Sequence, residues 1–184
     1  TSTLQQTASS RLGFSPSRTM QVAQKLYEAG HISYMRTDST NLSKQALDAI
    51  SNLIEKKYGK ELLEKREYKT KSKNAQEAHE AIRPTHIEKL SSGNNEEQKR
   101  LYALIWERTV SSQMVDAKLL KTRVVANIKG DTIPDFSANG SRLIYPGWLS
   151  VDTSARGEDV ELPSLTDGED LGLIELTDLE KQTE

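Results

Sequence analysis

The sequence contains no cysteine among its 184 residues. A disulfide framework, a zinc–thiolate site and a thiol nucleophile are therefore excluded, and a reducing cytoplasmic setting is the simplest fit. No run of 18 or more apolar residues occurs, and Thr1–Gln6 has neither the basic start nor the apolar core of a signal peptide. We expect a soluble cytoplasmic protein with no membrane partner. The missing initiator methionine further suggests a piece of a longer chain.

A strong overall charge is also missing, because the net charge is only -2. This value averages two unlike parts. Residues 1–116 carry 18 Lys and Arg against 14 Asp and Glu, which gives +4, whereas residues 117–184 carry 7 against 13, which gives -6. The first part can approach a polyanion and the second would repel one, although charge alone fits ordinary solvated faces equally well.

Cap residues and apolar spacing predict four helices in the first part of the chain. The starts are marked by Thr3, by Ser15 before Pro16, by Ser43 and by Asn94 or Asn95, and the first three stops by Gly13, Gly30 and Gly59. Tyr27 falls in the predicted apolar stripe of the second helix. Residues 31–38 are short and β-tolerant, so the order helix, turn, helix, strand suggests a helix-turn-helix or winged-helix unit.

Beyond residue 116 the pattern becomes β-rich. It predicts strands over residues 119–128, 143–151 and 171–176, with turns at Gly130-Asp131 and Asn139-Gly140. The change coincides with the change in charge. We therefore predict an α+β, mainly α, chain with a helical, winged-helix-like domain over residues 1–116 and a β-rich domain over residues 117–184.

A phenol and a guanidinium lie two residues apart in Ser33-Tyr34-Met35-Arg36-Thr37-Asp38-Ser39. In an extended segment, the two-residue period places Tyr34, Arg36 and Asp38 on one side. A phenol is a poor nucleophile at neutral pH, so attack on phosphorus needs a cation on the phosphate oxygens and a proton acceptor. Arg36 can supply the cation. Spacing alone favours the alternative of a half-buried structural tyrosine with Arg36 paired to Asp38.

A second candidate site lies in Gln76-Glu77-Ala78-His79-Glu80-Ala81-Ile82-Arg83-Pro84. If residues 77–83 are helical, His79 and Arg83 lie one turn apart on one face and can hold a phosphate together. The string superficially matches a zinc-protease helix, but an arginine at position 83 cannot ligate a metal. The alternative is a solvated, salt-bridged helix end.

Three strings in this order and spacing resemble those of the type IA DNA topoisomerases. They are Ser2-Thr3-Leu4-Gln5-Gln6, Glu28-Ala29-Gly30-His31-Ile32-Ser33-Tyr34-Met35-Arg36-Thr37-Asp38-Ser39, and the string that contains His79. Leu101-Tyr102-x-Leu104-Ile105-Trp106 continues the likeness. Met35 after the tyrosine is more similar to the bacterial topoisomerase I branch than to topoisomerase III. The resemblance is strong over residues 1–116 and thinner over residues 117–184.

The resemblance implies a reaction and a set of residues that carry it out. Tyr34 would attack a phosphodiester of single-stranded DNA, giving a 5′-phosphotyrosine link and a free 3′-hydroxyl, and religation would reverse this without ATP. Arg36 would bind the scissile phosphate, and His79 would hydrogen-bond the DNA backbone beside it. Glu28 and Gln24 would be lesser contacts.

One part of the family's active site is missing from the sequence. In the family, a Toprim domain holds Mg²⁺ with an Asp-x-Asp-x-Glu cluster, and no such cluster occurs here. We therefore expect no metal or cofactor in these residues, Mg²⁺ in the full-length enzyme, and no relaxation of supercoiled DNA by residues 1–184 alone.

The resemblance also implies an architecture and partners. Residues 1–116 would be the winged-helix-like domain and residues 117–184 part of the β-rich arch. The partners would be single-stranded DNA and the missing Toprim and remaining arch domains, in a cytoplasmic, nucleoid-associated enzyme. Two alternatives remain: a non-enzymatic winged-helix DNA-binding module, and a structural module whose tyrosine lies in the core.

Overall fold

The computed structural model describes residues 1–68, 79–130, 132 and 134–178, and within them the chain forms four α-helices and one two-stranded antiparallel sheet. The elements are α1 (Ser2–Leu12), α2 (Pro16–Glu28), α3 (Lys44–Lys57), α4 (Glu96–Ser111), β1 (Lys118–Ala126) and β2 (Phe136–Tyr145). Short 3-10 helices span Lys60–Leu62, Gly147–Ser150 and Thr153–Ala155. The predicted α+β class is confirmed.

The predicted helix ends agree closely with the observed ones. Side chains of three predicted cap residues accept a hydrogen bond from the backbone N–H three residues later: Ser15, Ser43 and Asn95. Gly13 ends α1 in the left-handed region at φ 69°. Two details differ: the cap of α1 is Thr1, two residues earlier than the predicted Thr3, and α4 ends at Ser111 rather than near Met114.

Two compact units divide the described residues. The first contains Thr1–Lys118 and Tyr145–Gly157, and the second contains Leu119–Ile144 and the described residues from Glu158 onward. In the first unit α2 packs against α1 and α4. Its core is apolar and includes large buried side chains: Phe14, Leu26, Ile32, Met35, Ile50, Ile54, Leu101, Tyr102, Trp106 and Met114.

Residues 145–157 belong to the first unit because several contacts fasten them to the helices. The Trp148 N–H donates to the Val115 carbonyl at 3.0 Å, and Arg11 forms an ion pair with the fully buried Asp152 at 2.7 Å. The chain thus leaves the first unit at β1, returns after β2 and leaves it again. The division into two contiguous domains that meet at residue 116 concerns the whole protein, and it stays a prediction.

Three β predictions are wrong. Asn139-Gly140 lies inside β2, which pairs with β1, and not in a turn. A side chain would not fit at position 140, because a Cβ there would meet the Val160 carbonyl oxygen at 2.8 Å. The glycine therefore permits the bridge between Ser141 and Val160. The strand predicted over residues 143–151 is wrong beyond residue 145, where β2 ends, because residues 147–150 form a 3-10 helix. Residues 171–176 have no regular structure.

The segment between α2 and α3 contains only one isolated β-bridge, which joins Ile32 to Pro84, where a strand was predicted over residues 31–38. The described part of the chain contains no helix with the length and apolar character needed to cross a bilayer.

Candidate active site

The segment that carries Tyr34 alternates between exposed and buried side chains. Tyr34 is 43% exposed, Met35 is 1% exposed and Thr37 is 7% exposed, and Arg36 and Asp38 are exposed. The predicted two-residue period is therefore confirmed, although the backbone bends instead of joining a sheet. Met35 anchors the segment in the core, so the phenol and the guanidinium on either side of it point away from the core.

The start of α1 holds this segment from one side. The Thr1 hydroxyl accepts a hydrogen bond from the Thr37 N–H at 3.0 Å. The same oxygen lies 2.8 Å from the Met35 carbonyl and 2.9 Å from the Thr37 carbonyl, and its single proton donates to one of them at a time. These contacts fix the backbone on both sides of Arg36.

Residues 81–85 hold the segment from the other side, in an antiparallel arrangement. The Ser33 N–H donates to the Arg83 carbonyl at 2.8 Å, and the Thr85 N–H donates to the His31 carbonyl at 3.0 Å. The Ser33 hydroxyl donates to the Ala81 carbonyl at 2.8 Å and accepts from the Arg83 N–H at 2.9 Å. The tyrosine segment and the segment after His79 are therefore joined directly, although they lie about 50 residues apart in the sequence.

The helix considered over residues 77–83 is wrong for its described part. Residues 79–81 have no regular structure, and Arg83 faces the antiparallel partner just described. Residues 76–78 of the motif lie outside the described residues. The backbone is extended here because it pairs with residues 31–33 and because the Ala81 N–H donates to the Asn41 carbonyl at 2.8 Å.

The guanidinium of Arg83 is used within the protein. It donates to the Glu80 carboxylate at 2.7 and 3.1 Å and to the Pro84 carbonyl at 3.0 Å. Burial raises the pKa of the Glu80 carboxyl, but hydrogen bonds from Arg83 and from Ser43 outweigh burial and lower this pKa below its ordinary value. Arg83 and Glu80 thus form a structural pair, and the phosphate-binding role predicted for Arg83 stays a prediction.

Arg36 and His79 have free donor groups. Both side chains are exposed, and neither forms a hydrogen bond or ion pair with another described residue. The alternative in which Arg36 pairs with Asp38 is therefore wrong. His79 lies two residues before Ala81, so their Cα atoms are at most about 7 Å apart, and Ala81 itself is bonded to Ser33. The imidazole is consequently attached close to the tyrosine segment.

The Tyr34 ring contacts a second tyrosine that the sequence patterns placed in the core. Tyr27 is 40% exposed, and its ring meets that of Tyr34 edge to face, with centroids 5.2 Å apart and an interplanar angle of 67°. One sequence feature does indicate that Tyr27 is exposed: it lies at the polar end of the apolar stripe, beside Glu28. Glu28 in turn accepts a hydrogen bond from Gln24 at 2.6 Å, so both predicted lesser contacts lie on the same helix as Tyr27.

A cavity of about 450 Å³ opens beside these segments. Its walls include Asp38 and Ser39 from the tyrosine segment, and Ala81 and Ile82 from the segment after His79. They also include Arg108, whose guanidinium has no partner among the described residues. Serine and threonine hydroxyls, leucine and isoleucine side chains and the Trp148 ring also line it, whereas Tyr34, Arg36 and His79 do not. This mixture of apolar surface and hydrogen-bonding groups is typical of ligand pockets.

Metal ligands are not grouped in the described residues. No set of three or more His, Asp or Glu side chains there is placed to hold a metal ion. The residues of this site therefore offer a phenol, a guanidinium and an imidazole, which suit a phosphate, and no metal-binding cluster.

Comparisons with known proteins agree with these features. The family model described as DNA topoisomerase matches residues 1–184. DNA topoisomerase 1 of Mycobacterium tuberculosis (strain H37Ra) is 46% identical over 197 residues, which cover 96% of this chain and 21% of that protein. DNA topoisomerase 1 of Helicobacter pylori is 45% identical over 191 residues, which cover 96% of this chain and 25% of that protein.

A solved structure shows the same relationship. Full-length topoisomerase I from Thermotoga maritima superposes with a TM-score of 0.73 at 36% identity, covering 92% of this chain and 28% of that one. The chain thus spans between about a fifth and just over a quarter of the length of these proteins. It belongs to the bacterial type IA DNA topoisomerase family, as its tyrosine motif predicted.

Proposed function

We propose that this chain supplies the nucleophile of a type IA DNA topoisomerase, which cuts and reseals single-stranded DNA to relax negative supercoils without ATP. The observation that carries the proposal is an exposed Tyr34 side chain two residues before an exposed Arg36, which has no partner among the described residues, on a backbone fastened from two sides. Such a fixed arrangement can hold a reacting phosphate near the nucleophile.

The reaction is a transesterification. The Tyr34 oxygen attacks phosphorus, the bond from phosphorus to the 3′-oxygen breaks, and the phenol loses the proton that the leaving 3′-oxygen finally gains. The products are a 5′-phosphotyrosine link and a free 3′-hydroxyl. Religation is the reverse step, and the energy of the phosphodiester is kept in the protein–DNA bond, so no ATP is needed.

Each predicted residue has a place in this scheme. Arg36 binds the non-bridging oxygens of the scissile phosphate and stabilises the charge that develops there. His79 donates a hydrogen bond to the backbone beside that phosphate. Gln24 and Glu28, on the helix that carries Tyr27, make lesser contacts with DNA. Arg83 contributes by shaping the segment that carries His79, since its donors are occupied by Glu80 and Pro84.

Mg²⁺ would be held by a Toprim domain outside these residues, because the Asp-x-Asp-x-Glu cluster that holds it in the family does not occur in this sequence. When bound, it would supply charge stabilisation for the leaving oxygen. The proposal also makes the helical unit a winged-helix-like DNA-handling domain and the β-rich residues part of an arch. The enzyme would work in the cytoplasm, on the nucleoid, with the Toprim and remaining arch domains as its partners.

The test is covalent capture of DNA by the full-length protein that carries this chain. A single-stranded suicide oligonucleotide, labelled on the side that stays on the protein, should give a covalent adduct that Tyr34→Phe abolishes. Tyr27→Phe is the matched control, because it removes the neighbouring exposed hydroxyl and keeps the ring contact. An adduct that survives Tyr34→Phe, or that Tyr27→Phe abolishes, would refute the assignment.

The same experiment separates the alternatives. A non-enzymatic DNA-binding module would bind duplex DNA with an affinity that falls steeply with salt and does not depend on Tyr34, and it would form no adduct. A structural module would bind no DNA. Residues 1–184 without the rest of the protein should leave supercoiled plasmid unrelaxed, and relaxation by the pure 184-residue chain would contradict the need for the Toprim carboxylates.

A further inference from the structure

Ser33 connects the two segments of the proposed active site more closely than any other described residue. It takes part in three hydrogen bonds with residues 81–83: its N–H donates to the Arg83 carbonyl, and its hydroxyl donates to Ala81 and accepts from the Arg83 N–H. The hydroxyl thus uses both its donor and its acceptor capacity on one partner segment. It lies immediately before the nucleophile.

The segment on the other side carries His79, and few contacts with other described residues fix its start. The imidazole has no partner among the described residues, so its position depends on its backbone. Apart from the local pair of Glu80 with Arg83, three hydrogen bonds hold residues 80–81 to other segments: the Ala81 N–H to the Asn41 carbonyl at 2.8 Å, the Ser43 N–H to the Glu80 carboxylate at 2.6 Å, and the Ser33 hydroxyl to the Ala81 carbonyl at 2.8 Å. Only the last one leads directly to the residue beside Tyr34.

We propose that Ser33 is a positioning residue that fixes His79 relative to Tyr34 for cleavage of the phosphodiester. This inference rests on the proposed function and adds a role for a side chain that does not touch the reacting phosphate. A hydroxyl is required because a single group must donate to one backbone atom and accept from another. Alanine can do neither, whereas threonine can do both.

Removal of the Ser33 hydroxyl should weaken the link between the tyrosine segment and residues 81–83 without unfolding either segment. The two backbone hydrogen bonds between residues 31–33 and 83–85 remain in Ser33→Ala. Ile32, Met35 and Ile87 stay buried in the core around them. The N–H of Arg83 and the carbonyl of Ala81 lose a partner, so the backbone just after His79 gains freedom. The loss should therefore appear in the rate of chemistry more than in DNA binding.

The size of the effect follows from how strongly a transesterification depends on placement. A shift of about 1 Å in a positioning group can cost about 100-fold in rate. Because two of the three anchors of residues 80–81 remain, we expect a smaller loss for Ser33→Ala, about 10-fold in the single-turnover rate of adduct formation, with the affinity for the oligonucleotide within about twofold of wild type. Ser33→Thr should restore the rate, since the side chain of Ser33 is only partly buried and leaves room for a methyl group.

A double-mutant cycle with His79 gives the readout that a general structural role would not change. The full-length protein is prepared as wild type, Ser33→Ala, His79→Ala and the double variant, and adduct formation on a single-stranded oligonucleotide is followed in a single turnover. If Ser33 acts through His79, its substitution has little further effect once the imidazole is gone. Equal fold losses in both backgrounds, or a wild-type rate for Ser33→Ala, would overturn the proposal.

Two controls keep the outcomes distinct. Ser51→Ala removes a serine hydroxyl that is more deeply buried than that of Ser33 and donates to the Leu47 carbonyl at 2.7 Å within α3, and it should leave the rate unchanged. Tyr34→Phe tests the proposed function itself. If Tyr34→Phe abolishes the adduct and Ser33→Ala does not slow it, only the positioning role fails. If the adduct persists in Tyr34→Phe, the proposed function fails as well.

Discussion

Replacing Arg11 should destabilise the protein more than replacing its ion-pair partner Asp152. The Asp152 side chain is 0% exposed and the Arg11 side chain is 24% exposed. One guanidinium nitrogen of Arg11 donates to both carboxylate oxygens, at 2.7 and 2.9 Å, and the Ser154 hydroxyl donates to one of them at 3.1 Å. Removing Arg11 therefore leaves a buried carboxylate with one neutral side-chain donor, whereas removing Asp152 leaves a cation that water can reach.

The expected losses follow from this asymmetry. Arg11→Ala should lower the free energy of unfolding by about 3–5 kcal/mol, as for other buried pairs that lose one partner. Asp152→Ala should cost about 1.5–3 kcal/mol, the range for hydrogen bonds to charged groups. The Glu107 carboxyl should increase the difference between these two losses of unfolding free energy. Burial first, and then the Asp152 charge, raise its pKa, while Arg11 opposes them, so loss of Arg11 also removes a favourable charge from this carboxyl.

Urea unfolding of the 184-residue chain, followed by tryptophan fluorescence, measures these losses. Both tryptophans of the sequence, Trp106 and Trp148, lie in the first compact unit together with the ion pair. Lys99→Ala is the control, because its contact with Glu96 is solvent-exposed and should contribute less than about 1 kcal/mol. The reasoning is refuted if Arg11→Ala lowers the free energy of unfolding by no more than Asp152→Ala does, provided that this free energy depends equally on urea concentration in both variants.

Two further predictions concern the segments around the proposed site. Met35→Ala should lower the free energy of unfolding by about 2–5 kcal/mol because the side chain is 1% exposed in the core, while Met35→Leu should cost less than about 1.5 kcal/mol; equal urea midpoints for the two variants would contradict this. The lowered pKa of Glu80 means that its contribution to stability is present above the ordinary carboxyl value of 4.5 and is lost as the pH falls through the folded value. The stability difference between wild type and Glu80→Gln should therefore be constant near neutral pH and shrink below about pH 4.5, and a difference that grows in acid would contradict the assigned pairing.

Local sequence patterns were sufficient wherever the cause was local. The helix starts at Ser15, Ser43 and Asn95 follow from a side chain that caps its own backbone three residues later. The exposure of Tyr34 and Arg36 around buried Met35 follows from the two-residue period of an extended chain. The family follows from motifs whose order and spacing survive in the sequence.

Contacts between distant residues decided the rest. The sequence predicts that Arg83 lies one helical turn after His79. In the structure, pairing with residues about 50 positions earlier keeps this backbone extended, and the Arg83 guanidinium contacts Glu80. The sequence places Gly140 in a turn, but it lies in β2, and the glycine is needed there because the Val160 carbonyl oxygen approaches too closely for a side chain. Local periodicity contains no information about either neighbour.

By itself, the sequence determined the helix starts, the alternation around Tyr34 and the family, because each depends on interactions within a few residues or on the order and spacing of motifs. Only the tertiary structure decided that Ser33 fastens the segment after His79 to the residue before Tyr34, that Tyr27 packs against Tyr34, and that residues 145–157 return to the helical unit through Asp152. These contacts form only when the chain folds, since their partners lie far apart in the sequence.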